Sequence, residues 1–462
     1  MRSTVMTTGG VLAALLIGMP RPTAAAESLE QRLRRLERRV EEQDRIIDEQ
    51  QRRLDERDAE AARPAAGAAT PAPAPSATAA APAAAASPDT MRAYWKDGLR
   101  FETGDKAFQA HVGGRFHADW GFFTEDEGLN DAFGGFEDGA EFRRARLMIE
   151  GLVYEQIEFR AEYDFAGGET TFKDVYLGLV DLPYVGGVRV GHFKEPFSLD
   201  EMTSSRFITF MERALPNALV PSRNMGAMLH DAAFDQRLTW ALGTFRDTDD
   251  FAISQDDGGW GVTGRVTGLP WYADEGRSLV HLGIGASHRD PGDDVVRLRS
   301  RPEAHLAPNV VDTGTFDATT FDRFGGEAAM VQGPFWAAGE YLHGLAAGDG
   351  PGRDFGGYYA QAGFFLTGEH RPYKQGAFDR VRPRRPFLSG DQRGPGAWEI
   401  AGRWSSLDLN SGAVRGGSVR NITGAVNWYL NALTRVSANY VFSDQQQLGD
   451  AHAFMMRFWF DF

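Results

Sequence analysis

Arginines at alternating positions are the residues of this sequence best suited to bind a ligand. Arg144 and Arg146 are separated by Ala145 and followed by Leu147. Alternate side chains of a β-strand share a face, so both guanidinium groups are predicted to lie on one polar face, whereas Arg143 has the opposite parity and is predicted to lie at a rim. A guanidinium donates two parallel hydrogen bonds to an oxyanion such as phosphate. Strand parity selects six candidate pore-lining, anion-binding residues, which are Arg115, Arg144, Arg146, Arg160, Arg403 and Arg457.

Acidic residues share these polar faces and leave a second interpretation open. Arginines beside carboxylates on adjacent strands can form a structural charge lattice around a non-specific passage. The chain carries a net charge of -15, and the part predicted to form strands contains few lysines, which disfavours a strong preference for anions. The acidic residues with the same parity are Asp119, Glu150, Glu158, Glu162 and Asp164, and the five lysines are Lys96, Lys106, Lys173, Lys194 and Lys374.

Catalytic and metal chemistry are not indicated. The sequence contains no cysteine, so it has no disulfide or thiolate chemistry, and its 10 histidines are scattered. We find no Gly-x-Ser-x-Gly, His-Glu-x-x-His or P-loop pattern. The acidic net charge argues against nucleic acid, because phosphate backbones bind basic surfaces. The protein is therefore predicted not to be an enzyme and to bind no metal, cofactor or nucleic acid.

The pattern around the arginines is that of long β-strands. Apolar and polar residues alternate through 108–122, 157–165 and 454–462, and the final aromatic strand, ending at Phe462, resembles the C-terminal strand of outer-membrane proteins. Strands of about 10 residues or more exceed the soluble average of about 5–6, which disfavours the competing interpretation, a soluble β-sandwich. Residues 94–462 are therefore predicted to be all-β and transmembrane. Roughly 20–25 residues per strand and loop give an antiparallel barrel of about 16 strands.

Three segments precede the predicted barrel. Residues 1–26 have the features of a signal peptide, with a positive start at Arg2 and the cleavage-site alanines Ala24–Ala26. Residues 27–61 are predicted to form an α-helical coiled coil, because a single solvated helix would not need apolar residues every seven positions. Residues 62–93 are rich in alanine and proline and are predicted to be an extended linker. The heptad residues are Leu33, Val40, Ile47 and Leu54.

Five stretches resemble the phosphate-selective porin O/P family and follow one another through the predicted barrel. The longest reads RVGHFKEPFSLDEMTSSRFITFMERAL and occupies residues 189–215. The others lie at 142–151, 172–179, 397–410 and 427–441. The resemblance implies a trimeric outer-membrane porin of 16 strands. A coiled coil also implies oligomerisation, so a homotrimer is expected on both grounds.

The resemblance also implies a loop that follows a barrel strand, folds into the lumen and narrows the pore. Pro196 suits the end of that strand, because proline donates no backbone hydrogen bond. Hydroxyl and basic side chains of this loop are therefore candidates to line the constriction, and the competing interpretation is a loop that only packs against the wall. The candidates are Lys194, Ser198, Thr203, Ser204, Ser205, Arg206 and Arg213.

A further basic cluster between residues 371 and 385 contains several prolines and is predicted to be a loop. It can be interpreted as an anion-collecting mouth, as a site for lipopolysaccharide or as a solvated surface loop.

The sequence predicts an outer-membrane channel for passive diffusion of small hydrophilic solutes, with a preference for anions such as phosphate as the finer hypothesis. The alternative is an envelope-tethering structural protein, in which the barrel anchors a periplasmic coiled-coil stalk that contacts the cell wall. Expected partners are further copies of the chain, outer-membrane lipid and lipopolysaccharide, and the permeating solutes. The expected location is the outer membrane of a Gram-negative-type bacterium, with the N-terminal stalk in the periplasm.

Overall fold

The structure, a computed structural model, describes residues 90–462 with the exception of 256, 388–392 and 447. The predicted signal peptide, the predicted coiled coil and most of the predicted linker lie outside the described residues. The first described strand begins at Met91, within the last residues assigned to the linker. Among the described residues, no helix is long and apolar enough to cross a membrane.

Sixteen antiparallel strands form a closed barrel, which confirms the predicted fold of this region. Each strand pairs with its neighbours in the chain, and the last strand pairs with the first, where Phe458 lies opposite Ala118. In chain order the strands are β1 (Phe108–Glu125), β2 (Gly139–Val153), β3 (Ile157–Asp164), β4 (Thr171–Leu182), β5 (Gly186–Lys194), β6 (Arg223–Ala233), β7 (Leu238–Arg246), β8 (Trp260–Ala273), β9 (Ser278–Arg289), β10 (Thr320–Gln332), β11 (Phe335–Ala347), β12 (Arg353–Phe365), β13 (Ala397–Ser411), β14 (Val414–Tyr429), β15 (Thr434–Gln445) and β16 (Gly449–Asp461).

Side chains alternate between the outside and the inside of the barrel, as the sequence pattern predicts. On β16, Phe458 and Phe460 are exposed on the outer face, whereas Arg457 and Trp459 are buried inside. A membrane barrel needs this arrangement, because its outer face contacts lipid and its backbone groups must be paired between strands.

A hairpin of two short strands, Met91–Trp95 and Leu99–Thr103, precedes the barrel. Its second strand pairs with the beginning of β1, where Leu99 lies opposite Val112. Farther along β1 the same edge pairs with β16, whose last paired residue is Asp461. The hairpin therefore extends the sheet beyond the end of β16.

The two ends of the barrel differ in their connections. We call the end that carries the start of β1 and the end of β16 the turn end, and the opposite end the loop end. Most connections at the turn end are short, but residues 366–396 form a long lower insert there. The loop end carries two long connections, the inner loop 195–222 and the upper insert 290–319.

Short helices and strands give these connections their shape. The α-helices are α1 (Glu127–Phe133) and α2 (Leu199–Met202), and the 3-10 helices are Ala166–Gly168, Leu215–Leu219, Asp274–Gly276 and Gly292–Asp294. Two-residue strands pair Val295–Val296 with Phe316–Asp317, Arg299–Ser300 with Val311–Asp312, and Tyr373–Lys374 with Ala377–Phe378.

The lumen has one apolar side, and the long connections pack against it. Phe321 of β10, Leu342 of β11 and Phe355 of β12 face inward and form one cluster with Leu215 and Leu219 of the inner loop. Apolar residues of the upper insert join the same cluster. Burial of this surface by the inserted segments stabilises them inside the barrel. A cavity remains on the opposite side, along β1 to β6.

Candidate pore constriction

The inner loop begins where β5 ends and turns at once into the lumen. Pro196 follows the last strand residues, and Phe197 is fully buried in the apolar cluster. Ser198 has a positive φ of 67° and caps α2, because its side chain accepts a hydrogen bond from the backbone N–H of Glu201. The backbone N–H groups of Leu199 and Asp200 donate to Glu340 of the wall at 3.0 and 2.7 Å.

The C-terminal part of the inner loop is held in place by Glu212, whose carboxylate lies among arginine side chains. Glu212 accepts two hydrogen bonds from Arg143, at 2.8 and 3.0 Å, and one from Arg457, at 2.7 Å. Arg457 also donates to the backbone oxygen of Met211 at 2.5 Å. Charge-assisted bidentate bonds of this kind fix position as well as adding energy. The loop is therefore held across the lumen rather than left free at its mouth.

A cavity of about 220 Å³ remains between the inner loop and the wall formed by β1 to β6. Its lining is strongly basic, with seven arginines and one lysine against a single acidic residue. The lining residues are Arg115, Arg144, Arg146, Arg160, Asp174, Tyr176, Arg189, Phe193, Lys194, Met202, Ser204, Ser205, Arg213, Arg223 and Met228.

Carboxylates lie behind the arginines and neutralise part of their charge. Arg115 donates to Glu162 at 2.7 Å, and Arg146 donates to Glu162 at 3.2 Å and to Asp164 at 2.6 Å. Arg160 also donates to Glu162, at 2.5 Å. Glu162 is completely buried and is not part of the cavity lining. The charge lattice expected from the sequence is present, and it presents its cationic side to the cavity.

Arg144 is the lining arginine with the fewest partners. Its side chain is 4% exposed, and its Nε and Nη1 atoms have no hydrogen-bond partner among the described residues. The nearest carboxylate atom lies 4.0 Å from Nη1 and belongs to Glu212. The charge of Arg144 is therefore compensated at a longer distance than the charges of Arg115, Arg146 and Arg160.

Comparison with known proteins identifies the family of this barrel. A family model described as phosphate-selective porin O and P matches residues 111–462. The chain belongs to this family. It is an outer-membrane channel, and the family and the barrel together indicate a channel rather than an enzyme. The comparisons give no support to the alternative of an envelope-tethering protein.

Individual relatives show how far the likeness extends. An uncharacterised protein of Caulobacter vibrioides is 32% identical over 367 residues, which cover 76% of this chain and 71% of the relative. Porin O of Pseudomonas aeruginosa is 29% identical over 392 residues, which cover 75% of this chain and 85% of the relative. The solved trimer form of OmpT from Vibrio cholerae is similar in fold, with a TM-score of 0.50, 10% identity, and coverage of 77% of this chain and 99% of OmpT.

Four of the six strand-parity candidates line the basic cavity of this porin, namely Arg115, Arg144, Arg146 and Arg160. Arg403 and Arg457 also face the lumen, but they bind the inserted segments. Arg403 donates to Glu303 of the upper insert at 2.6 Å and lies 4.4 Å from the ring of Phe210. Their contribution to the pore lining stays a prediction.

The seven inner-loop candidates divide in the same way. Lys194, Ser204, Ser205 and Arg213 line the cavity. Ser198 and Thr203 are buried within the fold of the loop, where Thr203 accepts a hydrogen bond from the backbone N–H of Phe378. Arg206 donates to the backbone oxygen of Gly114 at 3.4 Å. Some of these side chains therefore line the cavity and others pack the loop against the barrel, so the structure contains features of both interpretations of the loop.

The position of Arg143 differs from the position that strand parity predicted. A β-bulge lies in β2, where His117 pairs with Arg144 but the next residue of β1, Ala118, pairs with Phe142. The extra residue places Arg143 and Arg144 on the same side of the sheet, as bulges do. Arg143 therefore turns inward and binds Glu212 instead of lying at a rim.

The basic cluster between residues 371 and 385 is only partly solvated, because Lys374, Arg382, Arg384 and Arg385 are exposed but Arg371 is not. It belongs to the lower insert, and Arg371 is buried, with its guanidinium 5.1 Å from the ring of Trp336 and bonded to the backbone oxygen of Phe207. Arg382 remains more exposed and pairs with Asp97 of the N-terminal hairpin. Apolar neighbours such as Phe378 and the inward-facing Trp336 draw this segment into the barrel.

Sequence reasoning missed four polar residues of the cavity, which are Asp174, Tyr176, Arg189 and Arg223. Parity was sufficient to find one of them, because Arg189 lies between Val188 and the outward-facing Val190. Arg223 stands at the start of β6, where no alternation precedes it, and it binds Asp174 of β4 at 2.8 Å.

Two carboxylates of the inner loop are stabilised in their ionised form. Burial alone would raise the pKa of Glu212, but Arg143, Arg144 and Arg457 together hold it well below its usual value. Burial opposes ionisation of Glu201 as well, yet Arg213 and Lys194 lower its pKa to about 2. Both groups are therefore anionic at neutral pH and anchor the loop electrostatically.

Proposed function

We propose that the porin prefers anions and that its basic cavity is the selective part of the pore, with small oxyanions such as phosphate as the favoured solutes. The observation that carries the proposal is the lining of the cavity, which has eight basic residues against one acidic residue and includes Arg144, whose nearest carboxylate lies 4.0 Å away. An anion that enters the cavity would balance this excess of positive charge. Inward-facing arginines at a constriction are the usual basis of anion selectivity.

The net charge of the chain does not oppose this proposal. Selectivity depends on the charges that line the narrow passage, and these are basic although the chain carries -15 overall. The carboxylates that balance the arginines lie behind them, as Glu162 and Asp164 do. A permeating ion therefore meets guanidinium groups first.

The size of the cavity restricts the solute. A volume of about 220 Å³ corresponds to roughly seven water molecules at about 30 Å³ each. This space suits an inorganic oxyanion with part of its hydration shell. Hydroxyl groups of Ser204 and Ser205 border the cavity and can hydrogen-bond such an ion.

A general diffusion pore for small hydrophilic solutes is the second candidate. It is favoured by the extensive pairing of Arg115, Arg146 and Arg160 with carboxylates. If these pairs cancel the field in the cavity, salt ions of both signs would pass equally. The two candidates differ in ion selectivity, which electrophysiology measures directly.

We also propose that the protein is a homotrimer whose turn end faces the periplasm. Short turns of outer-membrane barrels face that side, and the described chain enters the barrel there through the hairpin that begins at Met91. A segment preceding this hairpin would then lie in the periplasm, as expected for a stalk. One structural neighbour is a trimer, and native mass spectrometry of the detergent-solubilised protein tests the state of this one.

The test of anion binding uses single channels in KCl with added inorganic phosphate. Phosphate should reduce the chloride current of the natural protein in a saturable manner. Arg144→Ala should weaken this block about tenfold to hundredfold, because hydrogen bonds to charged groups contribute about 1.5–3 kcal/mol. The control is Arg297→Ala, at an exposed arginine of the upper insert that pairs with Asp312. Equal block in all three proteins would contradict the assignment.

A further inference from the structure

We infer that Tyr176 and Arg189 form an exit filter between the basic cavity and a second cavity at the turn end. This filter sets the largest solute that can pass and the rate at which anions leave the basic cavity. The inference rests on the proposed function and adds to it the residues that control departure from the selective region.

The second cavity has a volume of about 250 Å³ and lies between the N-terminal hairpin and the beginning of the barrel wall. Tyr176 lines both cavities, whereas Arg189 lines the basic one. The second cavity is bordered by the carboxyl-bearing residues Glu102, Glu150 and Glu158, and its lining also includes Arg100 and His111. An ion moving toward the turn end therefore passes from basic to partly acidic surroundings at Tyr176.

The strand register gives the order of these groups along the barrel axis. Arg146 of β2 lies opposite Asp164, whereas Leu152, nearer the turn end, lies opposite Glu158. On the neighbouring pair of strands, Arg189 lies opposite Gly178, which in turn lies opposite Glu158. Arg189 and Glu158 are therefore the lowest ion pair of the arginine column.

Contacts hold the two filter residues in a defined arrangement. The guanidinium of Arg189 lies 4.1 Å from the centre of the Tyr176 ring. Glu158 accepts hydrogen bonds from Nε of Arg189 at 3.1 Å and from Nη2 of Arg189 at 3.0 Å. Phe193 packs edge-on against Tyr176, with 5.9 Å between ring centres. The guanidinium thus lies over the face of the ring, and both groups border the basic cavity.

This arrangement favours release. Conduction requires a site that binds an ion well enough to admit it and weakly enough to let it leave. Arg144 at the upper part of the cavity has its nearest carboxylate at 4.0 Å, whereas the charge of Arg189 at the exit is compensated by Glu158 at 3.0 Å. The carboxylates that line the second cavity disfavour a second stable anion site there, so an anion that thermal motion has carried past Tyr176 is not retained.

The aromatic ring adds a steric limit. A tyrosine side chain cannot be compressed, so the free width beside the Tyr176–Arg189 stack sets the largest solute that passes. Removal of the ring should enlarge the passage without changing the charge of the cavity. Neutralisation of Glu158 should change the charge instead of the width, because Arg189 would lose its carboxylate partner while the passage keeps its size.

The experiment compares Tyr176→Ala and Glu158→Gln in planar bilayers. Tyr176→Ala should increase single-channel conductance and admit larger neutral polyethylene glycols into the pore. Glu158→Gln should keep the size limit but lengthen individual phosphate blocks severalfold. The controls are Tyr184→Ala and Glu155→Gln, at exposed positions of turn-end connections. Heat-resistant migration on gels confirms that each variant is folded.

The proposal is contradicted if Tyr176→Ala has the same conductance and the same polymer size limit as its control. It is also contradicted if phosphate blocks of Glu158→Gln last as long as those of the natural protein. Failure of the proposed function has a different signature. In that case the natural protein shows no anion preference, whereas the polymer size limit still reports whether Tyr176 narrows the exit.

Discussion

Three arginines converge on one carboxylate in the lumen, and their unequal distances explain the proposed selectivity. Glu212 binds Arg143 and Arg457 at 2.8 and 2.7 Å, but its nearest approach to Arg144 is 4.0 Å. The carboxylate therefore fastens the inner loop and leaves one guanidinium available. Arg is suited to this place because it stays charged when buried and offers donors in several directions.

Replacement of Glu212 tests this division of roles. Glu212→Gln should leave Arg143 and Arg457 without their carboxylate, which increases the preference for anions and lowers the stability of the loop. Breaking a fully buried pair costs about 3–5 kcal/mol, and the cost here is smaller because the side chain is 15% exposed. Reversal potentials measure the first effect, and thermal unfolding in detergent measures the second.

The control for this variant is Glu127→Gln, at an exposed residue of α1. A Glu212→Gln protein with the same reversal potential and the same unfolding temperature as the control would show that the carboxylate neither anchors the loop nor limits the charge of the pore.

Among the elements, the lower insert is the least expected feature. It enters the lumen from the turn end and reaches the inner loop, where the backbone N–H of Phe378 donates to Thr203 and Arg371 donates to Phe207. Phe378 packs edge-on against Trp336 at 5.7 Å. The inner loop is thus supported from below by this insert and from the wall by Glu340.

We expect Phe378→Ala to loosen the lower insert. Loss of a buried phenyl group destabilises packing by about 3–5 kcal/mol. The measurable result is a higher and noisier single-channel conductance. Phe234→Ala, at an exposed position of a turn, is the control, and identical current traces from the two variants would contradict a supporting role.

The sequence predicted the barrel and much of the basic cavity, because both depend on local alternation. Parity placed Arg115, Arg144, Arg146 and Arg160 on the inner face, where the structure also has them, because the alternation holds along their part of each strand. It failed at Arg143, where one extra residue in a bulge reverses the rule.

The inserted segments could not be placed from the sequence, because their positions depend on contacts with distant strands. Glu303 of the upper insert illustrates this. It binds Arg403 at 2.6 Å, Ser405 at 2.5 Å and Thr423 at 2.7 Å, and it accepts the backbone N–H of Leu215 at 3.1 Å. No local pattern marks an isolated glutamate in a loop as a buried anchor.

For the whole molecule, the central feature is the contrast between total and local charge. The chain carries -15, whereas the lining of its basic cavity has eight basic residues and one acidic residue. The apolar side of the lumen contributes to this contrast, because the inserted segments pack there and leave the basic cavity beside the arginines of β1 to β6. A permeating ion experiences the local charge most strongly, since distant charges are screened within about 8–10 Å by salt.

The most direct test of this account is the reversal potential of the natural protein in a planar bilayer that separates two concentrations of KCl. The account predicts a potential displaced toward the equilibrium potential of chloride, because the basic cavity admits anions in preference to cations. A reversal potential at zero, or one displaced toward the equilibrium potential of potassium, would contradict it.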